Sequence, residues 1–82
     1  MKNYTWQQLH TKLTVMLHEV QTMEKSGQVS ERFPRNHCTD ILNIVAGFGL
    51  FNIDNRFSVE IHCAGDVVMV EFMYDDGAEY NE

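Results

Sequence analysis

The sequence predicts an α+β domain in two layers, two helices followed by a three-stranded antiparallel meander (ααβββ). Three observations lead there. Residues 56–74 alternate apolar and polar side chains around a central Ala64-Gly65-Asp66 break, the period-two signature of a hairpin. Residues 5–23 instead repeat apolar side chains at steps of three and four, the signature of an amphipathic helix. Residues 36–47 form a second, mostly apolar helical stretch between Asn36 and Gly47. With 82 residues and 44% hydrophobic content, the chain is expected to be one domain, folded rather than disordered.

Trp6, Leu9, Leu13, Met16, Leu17 and Val20 make the stripe of the first helix, wide enough to lie on a sheet. Thr5 followed three residues later by Gln8 fits a capping box, and Lys25 before Gly27 suits a helix end. The opposite face, Gln7, Thr11, Thr14, His18 and Gln21, is polar but uncharged; it suits either a contact with low desolvation cost or an ordinary wet surface. Residues 28–35 read as a connection. Pro34 disfavours helix at Phe33, and Val29 and Phe33 are expected to pin the loop to the core. Arg32 and Arg35 flank Phe33 and Pro34, too small a basic patch to indicate phosphate binding.

In the second helix Asn36 is the expected N-cap, Asp40 complements the first turn, and Ile41, Leu42, Ile44, Val45 and Phe48 predict deep burial. Gly47 and Gly49 end it. Residues 50–53 read as a short strand and Asp54-Asn55 as a turn into the main hairpin, with strands at about 56–63 and 67–74. Phe57, Val59, Ile61 and Cys63 face the core in the first of these; Ser58, Glu60 and His62 face water. The second is apolar on nearly both faces, Val68, Val70, Phe72 and Tyr74 against Val67, Met69, Glu71 and Met73. In a meander it is a sheet edge, and the face carrying Val67, Met69 and Met73 becomes a candidate contact surface. Residues 75–82 read as an acidic, frayed tail.

Several kinds of chemistry are set aside. His37-Cys38 and His62-Cys63 together offer a tetrahedral donor set, but the spacing does not match the familiar zinc modules, and His62 and Cys63 point to opposite faces of one strand. Cys38 near a helix start reads as an inert thiol with no base to activate it, and Cys63 as a small core hydrophobe. Gly47-Phe48-Gly49 lacks the spacing of a dinucleotide fingerprint, and the acids after residue 74 lack that of a calcium loop. His10 and His18 read as surface imidazoles. No catalytic, cofactor or metal residue is named, and a non-enzymatic role is expected.

Charge supplies the functional expectation. The net charge is −6, yet the first 35 residues carry five Lys or Arg against three Asp or Glu, while residues 57–82 carry seven acids and no Lys or Arg. An acidic last third argues against direct nucleic-acid binding there and suits a basic protein partner, or solubility alone. No run is apolar enough to span a membrane and residues 1–10 lack a signal-peptide core, so a cytoplasmic protein with reduced cysteines is expected. The expected function is that of a small acidic inhibitor, of the general character of those encoded by phages and other mobile elements, including anti-CRISPR and anti-restriction proteins. It would block a basic nucleic-acid-binding surface of a larger protein or nucleoprotein complex in a host defence system. Asp66, Glu71, Asp75, Asp76 and Glu79 would steer it, and Met69, Met73 and Tyr74 would supply buried contact. The alternatives are a toxin-immunity protein and a structural or adaptor homodimer, joined through the last strand or the uncharged face of the first helix.

Overall fold

The computed structural model describes residues 3–49 and 56–77. The expected strand at 50–53, the Asp54-Asn55 turn, and Glu79 and Tyr80 lie outside them. Among the described residues the order is α1 (Trp6–Gln21), β1 (Gly27–Pro34), a 3-10 turn (Arg35–His37), α2 (Cys38–Phe48), β2 (Phe57–Ala64) and β3 (Val67–Tyr74). The fold class is α+β with two helices and a three-stranded antiparallel sheet, but the order is αβαββ, and the expected ααβββ order is wrong.

The error lies at residues 28–35, of which 28–34 belong to a strand rather than a connection. Val29 and Phe33 face the helices and Gln28, Ser30 and Arg32 face away, the alternation of a half-buried strand. Glu31 disguises it, because a carboxylate occupies an inward position. That carboxylate sits at the margin of the sheet, 3.4 Å from Lys12 Nζ of α1, where it stays wet. Pro34 is tolerated because it closes an edge strand, where a missing N–H breaks little.

The sheet order is β1-β3-β2, so β3 is the central strand and not an edge. Val68 pairs with Phe33 on one side and Cys63 on the other, and Phe72 with Val29 and Val59. On the helix side β3 has apolar neighbours in both flanking strands, whereas its outward Met69 and Met73 lie between polar side chains, Arg32 and His62 for the first and Gln28 and Ser58 for the second.

Thr5 caps α1 as expected: Gln8 N–H donates to Thr5 Oγ1 at 3.1 Å, and Thr5 N–H to Gln8 Oε1 at 2.9 Å. Leu9, Leu13, Met16 and Val20 of α1 meet Ile41, Ile44 and Val45 of α2 over Phe33, Val68, Val70 and Phe72 of the sheet, and together these form the core. Asn36 lies within the 3-10 turn and makes no cap to α2, which begins at Cys38. Leu42 is 49% exposed, so α2 is buried along one stripe rather than deeply all round. Gly49 ends the helix in the left-handed region at φ 63°. Between β2 and β3, Gly65 takes φ 61°. Its carbonyl accepts from Arg35 Nη1 at 2.9 Å, and the neighbouring Asp66 carbonyl accepts from Arg35 N–H at 2.9 Å. These bonds clip the β2–β3 turn to the 3-10 turn that precedes α2. No helix among the described residues is long and apolar enough to cross a membrane.

Candidate protein-binding face

The helices cover one face of the sheet. No described element lies over the other, and the strand register arranges its side chains in cross-strand rows. From β1 through β3 to β2 these read Gln28–Met73–Ser58, Ser30–Glu71–Glu60, Arg32–Met69–His62 and Pro34–Val67–Ala64. Val67, Met69, Glu71 and Met73 along the middle are half-buried by their neighbours, whereas Val68, Val70 and Phe72 on the helix side are fully buried. Arg32, His62, Ala64, Val67 and Met69 line a shallow depression of about 280 Å³.

At the centre of this face Glu60 and Glu71 are directly opposed across the strands. Like charges in that relation repel. His62 lies beside both, its Nε2 2.9 Å from Glu60 Oε1 and 3.7 Å from Glu71 Oε1. The three ligating atoms fall within 4.8 Å of one another, a donor set of two carboxylates and an imidazole that could take a divalent cation or the charged end of a basic side chain. Glu60 and His62 are largely exposed, and Glu71 is 18% exposed, held down by its place on the central strand. The sequence contains the signal for this cluster. A two-residue Gly65-Asp66 turn places Ala64 opposite Val67, and counting back from there places Glu60 opposite Glu71.

The expected contact residues do not all share this face. Met69, Glu71 and Met73 do. Asp66 lies in the turn at one end of the hairpin, and Asp75 and Asp76 follow β3 at the other. Tyr74 belongs to the helix side of the sheet, its ring 5.0 Å from that of Phe57 and beneath the Arg56 guanidinium at 5.9 Å. Glu79 lies outside the described residues. The start of the expected frayed tail is tied down. Asp75 N–H donates to the Arg56 carbonyl at 2.8 Å, Asp76 N–H to Ser26 Oγ at 2.9 Å, and Gly77 N–H to Asp75 Oδ1 at 3.0 Å. The last strand cannot join a second copy edge to edge, because both its edges are used inside the sheet.

The four residues weighed as a zinc set separate. His62 is on the open face. His37 is buried, and its Nε2 accepts the Tyr4 N–H at 3.0 Å. Cys38 and Cys63 meet on the helix side, with sulfurs 3.7 Å apart. Cys63 is exposed and Cys38 half-buried, so neither is the fully enclosed core thiol expected. The Cys38 thiol is raised above its ordinary pKa, first by its hydrogen bond with Cys63 and then by burial. His10 stacks on Trp6 with ring centroids 5.2 Å apart, which places it in an aromatic contact at the surface of α1.

Among known proteins, no family model, no curated sequence and no solved structure matches the chain.

Proposed function

We propose that this chain is a non-enzymatic binding protein that docks the helix-free face of its sheet on a basic surface of a larger protein. One observation carries the reading. The opposed carboxylates Glu60 and Glu71 lie between Met69 and Met73 on that open face. Such a site offers the charged end of an Arg or Lys two carboxylates, while the methionines receive its apolar stem. Asp66 at one end of the hairpin and Asp75 and Asp76 at the other extend the acidic character along its length of roughly 25 Å. Acids distributed along a strand suit a partner surface built to bind a polyanion. The role is therefore inhibition, by occupancy, of a nucleic-acid-handling complex, with electrostatics setting the association rate and the methionines the lifetime.

The test is capture of partner from lysate of the native host, followed by measurement with the purified partner. Glu60→Gln combined with Glu71→Gln should weaken binding about tenfold or more and flatten its salt dependence, and heparin should compete with the wild-type protein. Equal affinity and equal salt slope in wild type and double variant would remove the proposal. A second reading, self-association, rests on the edge of β2, which pairs with no other strand among the described residues and where Phe57, Val59 and Ile61 are half-buried on the helix side. A monomeric mass by sedimentation at micromolar concentration removes it.

A further inference from the structure

We propose that Cys38 and Cys63 form a reversible disulfide, making the junction of α2 and β2 a site of thiol–disulfide exchange with small disulfides of the oxidised-glutathione class. Although 25 residues apart in the chain, their sulfurs lie 3.7 Å apart. A disulfide bond is about 2.0 Å long, so about 1.7 Å of approach completes it, within the reach of side-chain rotation. Both backbones are held in regular structure. Cys38 opens α2 after the 3-10 turn, and Cys63 sits near the end of β2 opposite Val68. The pairing is therefore a product of the fold and not of a flexible encounter.

The two thiols differ in access, and that difference assigns their order. Cys63 is exposed on an edge strand, open to a bulky oxidant; Cys38 is half-buried and adjacent to it. The Cys63 thiolate attacks one sulfur of oxidised glutathione. The glutathione S–S bond breaks, and one glutathione thiolate leaves with the electron pair and takes up a proton. Cys38 then gives its proton to water and attacks the Cys63 sulfur of the mixed disulfide, expelling the second glutathione thiolate. The protein loses two protons and two electrons, and one oxidised glutathione takes both up to become two reduced. The hydrogen bond between the sulfurs keeps the proton on Cys38 in the reduced pair, and the Arg35 charge nearby favours its loss. The bridge would tie the first turn of α2 to the strand edge. Cys63 points to the helix side, so the outer rows of the sheet are untouched and the inference stands independently of the docking reading.

The experiment equilibrates the reduced protein in graded ratios of oxidised to reduced glutathione, quenches with iodoacetamide and reads the intact mass. The expected product is a monomer lighter by two hydrogens, carrying no alkyl group, that dithiothreitol converts back. Its melting temperature should rise by on the order of 10 °C, because the bridge closes a long loop in the unfolded chain. Cys38→Ser should stop at a glutathione adduct on Cys63. Two alkylated thiols after equilibration with excess oxidised glutathione would overturn the proposal. So would glutathione adducts or chain-to-chain disulfides as the only products. Should the serine variant fail to fold, the wild-type mass decides alone.

Discussion

Cys38 shows how a single residue takes its chemistry from its surroundings. A thiol near a helix start, with a histidine before it in sequence, can acquire a lowered pKa. Here the preceding residue, His37, turns away to accept from Tyr4, and Cys38 instead shares a hydrogen bond with Cys63, which pushes its pKa up from 9.0. Cys63→Ala should therefore bring the Cys38 titration back down. Its alkylation by iodoacetamide, followed against pH, should show a lower midpoint in the variant than in the wild type. An unchanged midpoint would mean that burial alone sets the shift. The sign for stability follows from the same shift. The folded protein favours the protonated thiol, so the contribution is complete below the ordinary pKa and is lost as pH rises through the raised one.

At the scale of elements, α1 is locally specified and β1 is not. The capping box, the apolar stripe and the wet face of α1 all lie within one stretch of chain. Thr5→Ala should cost about 1 kcal/mol in urea denaturation, because it leaves the Gln8 N–H without its side-chain acceptor. β1 becomes a strand because β3 is available to pair with it, and its inward Glu31 is acceptable because the sheet margin is wet. The central position of β3 has a direct kinetic consequence. Its amides are bonded or enclosed on both sides, whereas alternate amides of β1 and β2 point outward from the sheet. Native-state hydrogen exchange should find the slowest strand amides in residues 67–74. Slower exchange in residues 57–64 than in 67–74 would instead indicate the meander order.

At the scale of the molecule, the decisive feature is that, among the described residues, the sheet has one covered face and one open one. Adjacent residues of β3 should therefore respond oppositely to substitution. Met69→Ser with Met73→Ser should cost less stability than Val70→Ala, since both are only half-buried by their neighbours on the outer face, yet reduce partner binding about tenfold or more. Val70→Ala, fully buried against the helices, should cost about 2 kcal/mol and leave the affinity of the remaining folded protein unchanged. Melting curves and binding isotherms on the same samples separate the two effects. A loss of stability in the methionine pair equal to that of Val70→Ala would mean that the outer face is covered.

The chain alone determined α1 with its cap, the helical character of residues 38–48, and the hairpin of β2 and β3, because each depends on periodicity and turn chemistry within a short window. It also separated His62 from Cys63, since alternation on a strand is local, and it put Met69, Glu71 and Met73 on one face for the same reason. Only the tertiary structure decided that residues 27–34 are a strand and that β3 lies between β1 and β2. Alternation had already set Tyr74 on the face of Val68, Val70 and Phe72; the structure alone paired its ring with Phe57 and brought Cys38 to Cys63. Those outcomes depend on which distant segments meet. Pairing energy in a sheet belongs to two strands at once, so neither strand's sequence contains it, and a strand with a charged inward residue becomes legible only beside the partner and the lysine that accommodate it.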